Sequence, residues 1–140
     1  MKQQDIKTEE KFISHNAWFS IFMACTFLFA GVYPILKQTN TAPWLSTVGP
    51  LLFITILIIF IAKGFSLSRL FVFTYKDEFL NTIDTLAYKH SGIALSFFIG
   101  GVYTTSDRFA DSVSHATMAM FYITVMLLVY GISILWQSRD

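Results

Sequence analysis

Charged side chains are scarce in this sequence. Only 14% of the 140 residues are charged and 54% are apolar, whereas about 25% of the residues in an average soluble domain are charged. The apolar residues are gathered into long runs, which is typical of a chain that crosses a membrane. The formal net charge is only +1 and the sequence has no basic stripe, so we expect no nucleic-acid partner.

Cysteine is almost absent, because Cys25 is the single one. One cysteine cannot close an internal disulfide or pass electrons through a dithiol pair, which excludes the four-helix, quinone-linked thiol oxidases. Cys25 lies within an apolar run, so we expect a small buried thiol there. The sequence also contains no Gly-rich phosphate loop, nucleophile elbow or His-Glu-x-x-His motif. We therefore predict a protein that is not an enzyme.

Four apolar segments predict an all-α, polytopic membrane protein built as two tandem helical hairpins. The transmembrane helices are expected at residues 17–36, 44–62, 91–106 and 116–136, since about 20 residues of helix cross a ~30 Å hydrocarbon core. None of them contains Asp, Glu, Lys or Arg. This weighs against a proton-coupled transporter and against the small multidrug exporters that use a Glu in their first span. Pro34 is expected to end or bend the first helix.

Basic residues indicate how the chain is oriented. Eight of the ten Lys and Arg residues fall before the first span, between the second and third spans, or after the fourth, and only Lys37 and Arg108 fall elsewhere. Because basic residues concentrate on the cytoplasmic side, both termini are expected in the cytoplasm, with the protein in a bacterial cytoplasmic (inner) membrane. Residues 1–16 are mixed in charge, unlike a signal peptide, and are expected to form a polar lead with a short surface helix.

Residues 76–89 have the periodicity of an amphipathic helix. Its apolar face, which continues to His90, consists of Phe79, Leu80, Ile83, Leu86, Ala87 and His90. The opposite face is a candidate cytoplasmic contact surface and includes Lys76, Asp77, Glu78, Asp84 and Lys89. This helix is expected either to lie on the membrane surface or to continue directly into the third span.

Small residues recur every four positions in the third span, at Gly92, Ser96 and Gly100. Such a ridge lets the backbone of another helix approach closely. We therefore predict that these three residues form a helix-packing face, and that the third helix lies at the centre of the bundle.

The chain contains an internal repeat with a period of 70 residues, which divides it into a first hairpin repeat, 1–70, and a second, 71–140. Seven of the 26 residues in 11–36 are identical to the residue 70 positions later, and the clearest match is Gly31-Val32-Tyr33 with Gly101-Val102-Tyr103. Self-similarity at a fixed period indicates duplication. The halves are expected to be parallel repeats about an axis along the membrane normal.

The repeat resembles the YiaA/YiaB family, bacterial inner-membrane proteins of two-helix repeats whose function is unknown. The resemblance is carried by Gly31-Val32-Tyr33, Gly101-Val102-Tyr103 and the basic exits at Lys63 and Gln137-Ser138-Arg139-Asp140. The chain departs from that family in lacking Lys at the second exit and Lys-Gly at the start of each second helix. A second likeness is to small bacterial multi-pass proteins with Asp-Glu-Arg after the second span, where this chain has Lys76-Asp77-Glu78-Phe79. Neither likeness implies an activity.

Histidines leave a cofactor alternative open. His15 and His90 are expected at the cytoplasmic ends of the first and third helices, where they could approach each other as haem ligands. Asp111 and His115 are four residues apart and could share a metal ion. Hydrogen bonding at the membrane interface explains these residues more simply, so we predict no cofactor and no metal.

The leading functional hypothesis is an accessory or interaction protein in the lipid bilayer, which packs against another membrane protein or against itself. The alternative is a homo-oligomeric small transporter or channel whose path is lined by the polar face of the third helix. A haem- or metal-binding membrane protein is the least supported reading of the sequence.

Overall fold

The computed structural model describes residues 2–38, 45–62, 75, 77–108 and 113–139. Within these residues the chain is all-helical, as the composition predicts. It has four α-helices: α1 Lys2–Gln38, α2 Leu45–Ala62, α3 Glu78–Thr105 and α4 His115–Gln137. A short 3-10 turn, Ser106–Arg108, follows α3. Among the described residues, two stretches are long and apolar enough to cross a membrane, Lys7–Ile35 of α1 and His115–Gln137 of α4.

The helix bounds correct one expectation and decide between alternatives in two others. The polar lead is not a separate surface helix, because α1 runs without a break from Lys2 to Gln38. Pro34 lies inside α1 and does not end it. The amphipathic segment continues directly into the segment predicted as the third span, and the two form one helix, α3. Lys63, Lys76 and Asp111 lie outside the described residues.

The fourth helix, not the third, lies at the centre. α4 packs extensively against α1 on one side and against α3 on the other, while α1 and α3 barely touch, and α2 packs on α1. Small residues explain the close α1–α4 packing. They recur every seven positions on both helices, at Ala17, Ala24 and Gly31 of α1 and at Thr117, Thr124 and Gly131 of α4.

The α1–α4 contact is tight near both ends of the crossing. A Cβ added at Gly131 would lie 2.6 Å from the carbonyl oxygen of Ala17, and one added at Gly31 would lie 3.1 Å from Cε1 of Phe121. Seven-residue spacing keeps one stripe of each helix facing the other. The prediction that the third helix is central was wrong because α3 carries its exposed small residues on a different side.

A hydrophobic cluster marks one end of the bundle, which we call the core end. It consists of Ile13, Ala17, Leu80, Ile83, Ala87 and Ile134. The cluster brings together the N-terminal part of α1, the N-terminal part of α3 and the C-terminal part of α4, so α1 and α3 run the same way and α4 runs opposite to them.

The two halves of the repeat agree at the core end and differ at the other. Ile13 and its equivalent Ile83 are both buried in the cluster. In contrast, Gly31 packs against α4, whereas nothing lies within 4 Å of a Cβ added at its equivalent, Gly101. A crevice of about 520 Å³ therefore separates the outer parts of α3 and α4. It is lined by Phe97, Phe98, Gly101, Val102, Thr105, Val113, Met118 and Phe121.

Candidate functional site

The first turn of α3 is held by polar contacts from two directions. Asp77 is its N-cap, and the side-chain oxygen Oδ1 of Asp77 accepts a hydrogen bond of 2.8 Å from the backbone N–H of Phe79. The backbone N–H of Asp77 itself donates to Oε2 of Glu9, on α1, over 3.3 Å. These bonds satisfy donors that a helix start leaves unpaired, and they tie α3 to α1.

Tyr75 is held next to this turn by Asn81. The Asn81 side chain accepts from the backbone N–H of Tyr75 and donates to its carbonyl oxygen, both over 2.6 Å. The Tyr75 ring packs edge to face on Phe12 of α1, with ring centroids 6.2 Å apart. Tyr75 is therefore fixed between α1 and α3 at the core end.

Asp84 is the central residue of the candidate site. It is only 6% exposed, and its Oδ1 accepts a hydrogen bond of 2.6 Å from the hydroxyl of Tyr130 on α4. The ring of Tyr88 lies against that of Tyr130, with centroids 4.8 Å apart. The Asp84 carboxyl is thus bonded to Tyr130, and its charge also acts on Tyr75 and Tyr88. We call these three tyrosines the tyrosine cluster.

The burial of Asp84 corrects its assignment to the exposed contact surface. At 3.6 residues per turn, Asp84 lies beside Leu80, Ile83 and Ala87, which are buried against α4 and α1. Leu86 and Phe79, which belong to the predicted apolar face, are exposed. The stripe that is buried within the chain is Leu80, Ile83, Asp84, Ala87 and Ser91.

Burial dominates the electrostatics of this site. It raises the pKa of Asp84 above the ordinary value of 3.8, and the hydrogen bond from Tyr130 opposes the rise only in part. Burial, followed by the charge of Asp84, raises the pKa of Tyr75 to about 12. The same two causes raise the pKa of Tyr88. Within the described part of the chain, no cation acts on the Asp84 pKa, so burial makes the charged carboxylate less favourable here than at an exposed aspartate.

A second polar contact joins α3 to α4 near the tyrosine cluster. Nδ1 of His90 lies 2.7 Å from Oγ of Ser133, and the side-chain amide of Gln137 donates to the same oxygen over 2.9 Å. His15 is partly buried in α1, and His115 is exposed at the start of α4. Among the residues searched, no group of three His, Cys, Asp or Glu could hold a metal ion.

The predicted packing face lies on the side of α3 away from α4. Gly92, Ser96 and Gly100 are about half a turn from the buried stripe. No described residue lies within 4 Å of a Cβ added at Gly92 or Gly100, and the Ser96 hydroxyl donates to the carbonyl oxygen of Gly92 over 2.8 Å. These residues line an open groove of about 910 Å³. Packing of a neighbour on this face stays a prediction.

The other predicted residues are divided between packed and exposed positions. Gly31 is buried, with Val32 and Tyr33 partly buried, whereas Tyr103 is 80% exposed. Of the remaining contact-surface residues, Asp77 is partly buried, and Glu78 and Lys89 are exposed.

The expectation that Cys25 is a buried thiol was wrong, because Cys25 is exposed. The buried face of α1 carries Ala17, Ser20 and Ala24, and Cys25 follows Ala24 at about 100° around the helix. An apolar run in a helix does not indicate which face of the helix is buried, because that depends on how the neighbouring helices pack against it.

The arrangement around Asp84 can bind and release a proton, and sequence reasoning missed it. The usable signal was the stripe at i, i+3, i+4 and i+7 that starts at Leu80 and includes Asp84.

Comparison of the chain with protein-family models, with curated proteins and with solved structures finds no match, so the resemblance to the YiaA/YiaB family stays a prediction.

Proposed function

We propose that this chain is a four-span membrane protein of accessory or interaction type, which receives another transmembrane helix on the exposed face of α3. It would lie in a bacterial inner membrane with both termini in the cytoplasm. The observation that carries the proposal is the open ridge formed by Gly92, Ser96 and Gly100 on a chain whose apolar surface faces outward.

Exposure of apolar side chains supports the membrane setting. Only 22% of the most apolar stretch of α1, and the same share of α4, is buried within the chain, whereas the core helix of a soluble protein would be mostly covered. Large exposed apolar patches mark contact with a membrane or a partner. Exposed apolar side chains occur on all four helices, for example Phe22, Leu28, Ile54, Ile58, Phe97, Met126 and Ile132.

Exposed aromatic residues occur toward both ends of the bundle and exposed basic residues mainly at one, as expected for the two interfaces of a membrane. Exposed aromatic residues, Trp18, Tyr88 and Trp136, lie near the core end, and Tyr103 lies toward the other end. Tyr88 and Tyr103 are about 22 Å apart along α3 at 1.5 Å per residue, a separation suited to two aromatic belts. The exposed basic residues Lys7, Lys11, Lys89 and Arg139 are nearer the core end, which supports a cytoplasmic position for it.

The ridge on α3 has the chemistry of a helix-docking surface. In membranes, helices associate where small residues let backbones come close, and this chain already uses that device between α1 and α4. On α3 the ridge faces away from α4, and no part of the chain that the structure describes covers Gly92 or Gly100, so a helix of another chain could pack there.

Substitution of Gly100 tests the proposal. Gly100→Leu fills the groove, and Thr105→Leu is the control, because exposed Thr105 lines the crevice beside α4 and is not among the residues that line the groove. Each variant is purified in mild detergent from the native host, and the intact complex is weighed by mass spectrometry. We expect a bound subunit with the wild type and with Thr105→Leu, and its loss with Gly100→Leu.

The mass of the complex also identifies the partner. A stoichiometric foreign subunit would make the chain an accessory protein, and a larger assembly of identical chains would favour self-association. Purification of the wild type as a lone monomer, or equal assembly of the two variants, would contradict the proposal.

A homo-oligomeric transporter or channel is the second candidate, and one observation favours it. Asp84 bonds Tyr130, which lies inside the fourth predicted span, so an ionisable group reaches the edge of the membrane-embedded region. Intramembrane ionisable groups often mark ion or proton paths. A liposome flux assay on the purified protein separates the two functions, because only the transporter or channel would move ions or solutes.

A further inference from the structure

The Asp84 side chain is buried, and the structure shows one hydrogen-bond partner for its carboxyl group, the uncharged Tyr130 phenol. Its side chain is 6% exposed, lies beside the apolar cluster at the core end, and accepts one hydrogen bond, of 2.6 Å, from the Tyr130 phenol. A buried carboxylate is costly unless it is paired with a cation or accepts several hydrogen bonds. A phenol supplies one such bond and no charge.

Among the described residues, the titratable groups linked to Asp84 are acids. Tyr130 bonds it from α4, while its charge acts on Tyr88 of its own helix and on Tyr75 just before that helix; Glu9 of α1 acts in turn on Tyr75. Among the described residues, no Lys or Arg belongs to this set of interacting side chains. Of these acids, Asp84 is the buried carboxyl.

We propose that Asp84 is a proton-binding site whose charge state sets how firmly the core end of α3 packs against α4 and α1. Binding converts the carboxylate to a carboxylic acid, and the proton comes from the adjacent aqueous side. Tyr88 is 49% exposed and its hydroxyl interacts with that of Tyr130, so these two phenols form a route between the surface and Asp84. The proposal does not depend on which helix docks against α3.

The sign of the effect follows from linkage. Burial holds the Asp84 pKa above 3.8 in the folded protein, so the folded state binds the proton more tightly than the unfolded state. The stabilisation is complete below about pH 3.8 and is lost as the pH rises through the folded-state pKa. The charged form therefore weakens the packing of α3.

Infrared spectroscopy of the purified chain in lipid nanodiscs tests the proposal directly. The carbonyl stretch of a protonated carboxyl is followed as the pH is raised. We expect a band that titrates with a midpoint above 3.8, that is retained in Glu78→Gln and that is absent from Asp84→Asn. Glu78 is a matched control because it is an exposed acid on the same helix.

Tyr130→Phe gives a second, independent readout. It removes the hydrogen bond that favours the carboxylate, so the midpoint must move to higher pH. A band that is unchanged in Asp84→Asn, a midpoint at or below 3.8, or a downward shift in Tyr130→Phe would overturn the proposal. Unfolding measured against pH completes the test: wild-type stability should fall as the pH rises through the midpoint, and Asp84→Asn should abolish that fall.

Discussion

Gly131→Ala tests the closest helix approach in the structure. A Cβ at this position would lie 2.6 Å from the carbonyl oxygen of Ala17 and 2.6 Å from Cγ1 of Ile21. Ile21 can change rotamer, but the Ala17 oxygen is backbone, so α1 and α4 would have to separate. Ordinary contacts of a Cβ begin at about 3.4 Å, and the helices would therefore move apart by several tenths of an ångström.

The expected cost follows from two opposing effects. Overpacking costs about 1–3 kcal/mol, and the upper part of that range applies because the obstacle is backbone. Replacing Gly by Ala within a helix stabilises it by about 1 kcal/mol. We therefore expect Gly131→Ala to lower the free energy of unfolding by about 1–2 kcal/mol.

Gly100→Ala is the matched control for this substitution. It has the same gain in helix propensity, but nothing lies within 4 Å of the added Cβ, so the free energy of unfolding should stay the same or rise by up to about 1 kcal/mol. The assay is reversible denaturant unfolding in detergent micelles, followed by circular dichroism. Equal stability of Gly131→Ala and Gly100→Ala would refute the close α1–α4 approach.

Two further substitutions probe the core end. Asp77→Ala removes the N-cap of α3 and should lower the free energy of unfolding by about 1 kcal/mol, measured in the same micelles; no loss would show that the bond to Phe79 contributes nothing. The Tyr75 pKa is raised from 10.0 to about 12, so Tyr75 stabilises the fold below pH 10 and this contribution disappears between about pH 10 and 12. Tyr75→Phe should reduce the loss of stability in that window, and an identical alkaline unfolding profile would contradict the assignment.

Helix positions were largely predictable from the sequence. The expected spans 17–36, 44–62 and 116–136 fall inside or within one residue of α1, α2 and α4, because long apolar runs bounded by polar residues indicate helices without knowledge of their neighbours. Asp77, which precedes α3, is also a residue type preferred at the N-cap of a helix. These signals are local, and the sequence contains them in full.

The buried side of each helix was harder to predict. Asp84 was assigned to the wrong face of α3, although the apolar period was recognised, because a helix with apolar residues on several sides offers more than one plausible stripe. The presence of Tyr130 opposite Asp84 decides which stripe is covered, and that pairing joins residues 46 positions apart. Such long-range contacts have no local sequence signal.

The sequence by itself determined an all-helical chain, the approximate limits of its helices, their strongly apolar character and the similarity of Ile13 and Ala17 to Ile83 and Ala87. Tertiary structure decided that α4 is central, that Gly31 is covered while Gly101 is open, and that Asp84 is buried beside three tyrosines. The physical reason is that helix formation depends on hydrogen bonds and apolar content within one segment. The choice of neighbours depends on which small residues let two distant backbones meet.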